Sequence, residues 1–320
     1  MRYVIVGAGA IGGAVAALLH ESGAEVLLVA RGATLEAVRA HGVRLTVGDA
    51  DERAVPVPSV AGLAEVEWRE QDAVVLAVKS QQTDAVLEDL ADVPAGVPVF
   101  CLQNGVDNER RALRLRPHVH GVVVMMPASS LEPGRVVVHS AGRPGLLDTG
   151  LFPRGSDEAD EAWARDLRAA GFDSVVRTDV MAWKRRKLLV NLGNGVDAAF
   201  AESEAAEELT ALVRAEGEAA LSAAGLSVVG TAEDTARRGD LLRPLVGRSG
   251  AGSSTWQSVA RGAGSVETDY LNGEIVLLGR LHGLPTPANA LVGATVRALV
   301  RSGGEPRSLD AADALAALRA

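Results

Sequence analysis

A chain of 320 residues with a net charge of −9 lacks the basic balance of a general nucleic-acid binder. Its 48% hydrophobic and 23% charged residues exclude a disordered protein, and its length suits one large or two ordinary domains. The single cysteine, Cys101, excludes a disulfide framework within the chain and fits a reducing, cytoplasmic compartment. No His/Cys cluster has metal-ligand spacing, so no metal is expected.

In chain order, "RYVIVG" is a short β-branched run and predicts a strand. "AIGGAVAALLHESG" has helical length and stops at Gly23. "AEVLLVAR" predicts a second strand and "ATLEAVRAHG" a second helix closed by Gly42. "DAVVLAVKS", "DAVLEDLADV" and "VPVFCLQNG" continue the strand–helix–strand rhythm, which implies a parallel sheet covered by helices. Between about 121 and 150 the strands crowd together and are expected to include antiparallel pairing. The uncharged stretch 3–19 superficially resembles a signal peptide or membrane span. Gly7, Gly9, Gly12 and Gly13 weaken a lone helix there and suit a soluble fold, so no membrane partner is expected.

Near residue 180 the pattern changes to long helical stretches at roughly 181–200, 203–224, 254–282 and 285–303, with one long Gly/Pro/Arg-rich loop at 237–253. The expected fold class is α/β: an N-terminal domain of alternating strands and helices over 1–179, followed by an all-helical domain over 180–320. A homodimer is compatible with the amphipathic helices, which do not indicate the shared face.

"GAGAIG" places Gly7, Gly9, Ala10, Ile11 and Gly12 between a strand and a helix, the context in which a G-x-G-x-x-G loop cradles a pyrophosphate. The second strand ends in Arg31, where an NAD-specific fold tends to place an acid. A guanidinium there clamps a 2′-phosphate and selects NADP(H). "VKSQQ" puts Lys79 and Gln82, and "LQNG" puts Asn104, after the next two strands, where ligands of such sheets bind.

"WKRRKLLVN" sets Lys187 and Asn191 one helical turn apart, with Lys184 near the same stripe. A basic helix start that snorkels, with a satisfied core amide, is the plain structural reading of this segment.

With "GAGAIG", "VAR", "VKSQQ", "LQNGV", "KLLVN" and "VETDYLNG" in this order, the chain resembles the ketopantoate reductase (2-dehydropantoate 2-reductase) family from Gly7 to about Pro287. The resemblance implies an NADPH-binding Rossmann domain and a helical substrate domain. It also implies reduction of a small-molecule 2-oxo acid to a 2-hydroxy acid, on the route to pantothenate. It assigns Lys187 as the catalytic lysine and Glu267 as the acid engaging the substrate hydroxyl. Asn191, Ser254 and Asn104 become substrate-binding residues, Asn104 also facing the nicotinamide. One departure is Gly195, where the family commonly has a second asparagine. Two other readings stand beside this one: an NADPH-dependent reductase of a different small oxo acid or imine, and a non-catalytic NADP(H)-sensing protein.

Overall fold

A computed structural model of the protein describes residues 1–243 and 252–319. Two compact units are present. Met1–Lys184 and the described part of Thr231–Gly250 form the first; Arg185–Gly230 and the described part of Ala251–Ala320 form the second.

The first unit opens with β1 (Arg2–Val6), α1 (Ala10–Glu21), β2 (Glu25–Val29) and α2 (Gly32–His41). Short strands β3 (Val43–Val47), β4 (Arg53–Val55) and β5 (Ser59–Val60) follow. Next come β6 (Asp72–Leu76), α3 (Thr83–Asp89), β7 (Val99–Cys101), α4 (Asn108–Leu113) and β8 (Val119–Met125). The unit continues through β9 (Ala128–Ser129), β10 (Arg135–Val138), β11 (Leu146–Leu151) and α5 (Glu158–Ala169). Seven strands form one sheet in the order β11-β8-β7-β6-β1-β2-β5, parallel except where β11 runs against β8. This is the Rossmann-type arrangement that the strand–helix alternation predicts. All five residues of β6 are buried, as a sheet covered on both faces requires.

The antiparallel pairing expected at 121–150 is present at β8–β11 and β9–β10, although β8 pairs parallel with β7. The sequence reading assigns no strand to 43–60. There the structure adds a second sheet, β4-β3-β10-β9, and the edge strand β5. Tyr3, Trp163, Phe100 and His120 lie in series through the core with ring centroids 4.8, 5.3 and 4.4 Å apart, the first pair edge-on, the second tilted and the third stacked. The Tyr3 hydroxyl donates to Asp166 at 2.7 Å, and burial followed by that carboxylate pushes the phenol well above its ordinary range.

α6 (Val180–Asn191) begins in the first unit and ends in the second, which continues with α7 (Gly193–Ala199) and α8 (Glu204–Ala223). α9 (Thr231–Arg238) belongs to the first unit: Arg237 bonds Asp148 on β11 at 2.6 Å and Asp173 at 2.5 Å. Of the loop expected at 237–253, residues 244–251 lie outside the described residues. α10 (Ser254–Ala260), α11 (Asn272–His282), α12 (Pro287–Ser302) and α13 (Ala311–Arg319) complete the second unit. Its described residues contain helices and a β-bridge between Phe200 and Leu309 but no extended strand.

The pattern at 254–282 is broken rather than continuous. Gly262 turns to φ +63°, Val266 is extended, and a 3₁₀ turn at Glu267–Tyr270 precedes α11. α12 is held from outside: both carboxylate oxygens of Glu216 accept from its first turn, Ala288 at 2.8 Å and Asn289 at 2.9 Å. A negative charge there also favours the helix dipole.

Candidate functional site

The glycines after β1 have different physical duties. Gly7 adopts φ +112°, and a Cβ there would lie 2.9 Å from the Ala77 carbonyl carbon. At Gly12 a Cβ would stand 2.0 Å from the Gly7 oxygen, so α1 can lie this close to the turn only without a side chain. Gly9 is exposed, and a Cβ there would meet nothing within 4 Å. It caps α1 without a side-chain acceptor. Ala10 and Ile11 open the helix and are partly buried. Gly7 follows β1 and Ala77 follows β6, the neighbouring strands where the chain reverses its progress across the sheet. Such a crevice receives ligands in open α/β sheets. The open face at Gly9 and the α1 N-terminus fit a dinucleotide pyrophosphate.

Arg31 caps α2 just beyond β2 and pairs with Asp89, the last residue of α3, at 2.8 Å. Both side chains are solvent-exposed, at 67% and 46%, so the pair is a weak hold on the guanidinium. Lys79 precedes a 3₁₀ turn at Ser80–Gln82, and its backbone N–H donates to the Gln82 side chain at 3.2 Å. Gln82 itself is exposed. The Asn104 carbonyl accepts from the Ser80 hydroxyl at 3.4 Å and from Asn108 at 3.0 Å. Gln103 donates to Val78 and to Thr83, each at 2.9 Å. The "VKSQQ" and "LQNG" segments are therefore joined by one buried polar network.

On α6, Lys184 and Lys187 have different surroundings. Lys184 is 3% exposed; its ammonium lies 2.6 Å from Glu109, which is fully buried, and donates to the carbonyls of Gln103 and Val122. Three partners match the three ammonium protons, leaving none for a substrate. Lys187 is half-buried between Arg186 and the buried Leu188, and Asn191 is buried one turn later. Cys101 is buried close to the ion pair; burial first, then the Glu109 charge, pushes its thiol far above the ordinary value. It is an inert core residue.

Within the second unit, Asn272 donates to the carbonyl of Leu192, the residue after Asn191, at 3.1 Å, and to Asn289 at 3.0 Å. This ties the turn bearing the buried Glu267 to the end of α6. Ser254 starts α10; its neighbour Ser253 is the cap, accepting from Trp256 at 3.1 Å and donating to the Asn194 carbonyl at 3.2 Å. The Asp197 carboxylate takes the Ser253 backbone N–H at 2.7 Å and Arg307 at 2.6 Å. Burial pushes that carboxyl up, but the bonds from Ser253 and Arg307 outweigh it and hold the group below its ordinary range. A Cβ on Gly195 would come within 2.7 Å of a Val292 methyl, so an asparagine does not fit here without displacing that side chain.

The sequence reading misses a cluster of His120, Asp157 and Asp160 whose ligand atoms lie within 4.8 Å of one another. His120 Nδ1 sits 3.0 Å from Asp160, and Nε2 sits 3.8 Å from Asp157. Asp157 already accepts two N–H groups at the start of α5, while Asp160 accepts from Thr149 and from the Asp157 backbone. The ring nitrogens face different carboxylates, an arrangement suited to clamping the imidazole rather than chelating one ion. No local spacing in the sequence announces it. Among the described residues, no helix is long and apolar enough to cross a membrane.

Known proteins resemble this chain along nearly its full length. A 2-dehydropantoate 2-reductase of Pyrococcus horikoshii is 29% identical over 308 residues, covering 95% of this chain and 99% of the relative. A ketopantoate reductase structure from Ralstonia eutropha JMP134 superposes with a TM-score of 0.79 at 28% identity, covering 95% of this chain and 99% of that one. D-mandelate dehydrogenase in a ternary complex with NADH and anilino(oxo)acetate shares the fold, with a TM-score of 0.79 at 24% identity and 95% and 99% coverage. Residues 3–153 match the family described as "Ketopantoate reductase PanE/ApbA", and residues 179–300 match "Ketopantoate reductase PanE/ApbA C terminal". The chain belongs to the ketopantoate reductase family of oxidoreductases.

Proposed function

We propose that this protein reduces a 2-oxo acid to the 2-hydroxy acid with NADPH, ketopantoate to pantoate being the leading pair. The observation that carries the reading is a single helix, α6, holding Lys187 and Asn191 one turn apart in a chain whose two halves both match the family. The curated relative from Pyrococcus horikoshii supports ketopantoate as the substrate. Arg31 at the end of β2 supports NADPH over NADH, because a guanidinium favours the 2′-phosphate.

Bound NADPH would supply the hydride that reduces the substrate's C2. Gly7, Gly9, Ala10, Ile11 and Gly12 hold its pyrophosphate by backbone, and Lys79, Gln82 and Asn104 line the strand ends beside it. As the carbonyl carbon is reduced, negative charge builds on its oxygen. The Lys187 ammonium stabilises that charge and gives up its proton to complete the hydroxyl. Asn191, Ser254 and Asn104 hold the acid, and Glu267 accepts from its hydroxyl.

The deciding experiment follows loss of reduced nicotinamide absorbance with ketopantoate, other branched 2-oxo acids, an aryl oxoacetate and cyclic imines, each with NADPH and with NADH. The highest kcat/KM is expected for ketopantoate with NADPH. A clear preference for another acid or an imine would reassign the substrate. Tight cofactor binding without turnover on any of them would end the enzymatic reading.

A further inference from the structure

The buried Lys184–Glu109 pair has no part in the chemistry just described. Its surroundings are nevertheless shaped around it. Gly121 on β8 pairs in register with Gly150 on β11, and both face the first turn of α6. A Cβ on Gly121 would press on Val180 at 3.1 Å, Lys184 Cδ at 3.3 Å and Glu109 Oε1 at 3.4 Å. One on Gly150 would overlap the Arg177 carbonyl oxygen at 2.0 Å and touch Val180 at 3.0 Å. These two glycines form a flat bed on which the helix start lies. Across it the Lys184 stem reaches the carbonyls of Gln103 and Val122, and Gln103 immediately precedes Asn104.

We propose that Lys184 is a positioning residue: clamped by Glu109 and the Gln103 carbonyl, it fixes the rotation and advance of the helix that carries Lys187. The inference rests on the reading of Lys187 as proton donor. An apolar side chain would pack in the same space at little cost, since a buried ion pair gains little net stability over apolar residues of similar volume. It would, however, tolerate sliding and rotation of the helix. Three acceptors at fixed points around one ammonium do not. Lys187 follows one turn later on the same rigid helix, so a shift at Lys184 is passed on to it.

The test compares wild-type protein with Lys184→Met/Glu109→Leu, which leaves no unpaired charge behind, and with Glu109→Gln, which keeps an acceptor for the amine. Per folded molecule, the double variant is expected to lose kcat about ten- to hundredfold, the scale of a small misplacement, with NADPH affinity unchanged. Glu109→Gln is expected to retain most of the turnover. Wild-type kcat in the double variant would overturn the proposal and leave the pair a folding element only. If the wild type turns over none of the oxo acids, the reading of Lys187 fails by itself. The positioning is then measured by backbone amide exchange across Arg185–Asn191. Weaker protection in the double variant supports it, and equal protection overturns it. Should the double variant not fold, Lys184→Met, which removes the clamped ammonium, carries the same exchange measurement, with equal protection again the overturning result.

Discussion

The carboxylate of Asp197 accepts the backbone N–H of Ser253 at 2.7 Å, directly before Ser254, while its other oxygen takes Arg307 at 2.6 Å. Burial alone would raise this carboxyl, yet the two partners hold it below the ordinary range. A carboxyl depressed in the folded state adds stability that is present above its unfolded pKa and lost as pH falls through the lower folded value. Asp197→Asn is therefore expected to destabilise the protein at pH 7 by about 1–2 kcal/mol, since each charge-assisted bond is worth roughly 1.5–3 and the side chain is partly solvated. The deficit should shrink as pH falls below about 4, the ordinary Asp value, where the carboxyl of the unfolded chain takes up its proton before the folded one does. Thermal unfolding at pH 7 and at pH 3 checks this, and an equal deficit at both would refute it.

Gly9 and Gly12 make opposite predictions although they share one motif. Gly9 has φ −80°, and a Cβ there meets only open space, so Gly9→Ala should leave the apparent Tm of the cofactor-free protein unchanged. Its added methyl would project where a pyrophosphate approaches, so NADPH affinity should fall at least about tenfold. Gly12→Ala puts a methyl 2.0 Å from the Gly7 oxygen and should cost about 1–3 kcal/mol or more of stability without any ligand. Cofactor titration and thermal unfolding of both variants separate the effects. Loss of stability in Gly9→Ala would mean that the loop serves the fold alone.

Much of the first unit is legible in the sequence because its strands are short apolar runs closed by glycines at helix ends, such as Gly23 at φ +88° and Gly42 at φ +69°. β4 and β5, of three and two residues, are too short for a period to register. β3 is as long as β1, and its alternating "VRLTV" is a readable signal that the sequence reading leaves unassigned, its second partner β10 lying far along the chain. α9 has no apolar stripe at all. Its one buried residue is Asp234, and Arg237 holds it through acids on other elements. The break after α10 escapes pattern reading because Gly262 and Gly264 each pass as tolerated glycines within a helical stretch. Spacing also leaves Lys184 and Lys187 equivalent; what distinguishes Lys184 is Glu109, a partner supplied by the tertiary fold.

Arg31 tests the choice of cofactor. Its present partner Asp89 is a solvated ion pair, which contributes about 0.2–1 kcal/mol and competes only weakly with a phosphate. Arg31→Ala should weaken NADPH binding about ten- to hundredfold, one charge-assisted contact, while leaving NADH nearly unchanged. Asp89→Ala, which frees the guanidinium, should tighten NADPH by up to about fivefold. Fluorescence titration with both nucleotides gives the answer. Equal losses for NADPH and NADH in Arg31→Ala would remove Arg31 from the discrimination.

Lys187 carries the proposed chemistry, and its neighbours allow a clean test. Leu188 and Leu189, with Leu192 just beyond the helix, supply the packing of this part of α6, so truncating the half-buried lysine leaves the core of the helix intact. Alanine is also the best helix former, so α6 loses no propensity. Lys187→Ala should therefore keep a Tm close to wild type while kcat falls by roughly 10²–10⁴, the range for removing a positioned general acid. Because the loss is of an interaction made with the developing oxyanion, kcat and kcat/KM should fall together. Steady-state kinetics at saturating NADPH distinguishes this from a binding role, which would raise KM with kcat preserved. Full turnover in Lys187→Ala would leave the reduction without its proton donor, since the ammonium of Lys184 is already committed to Glu109 and two carbonyls.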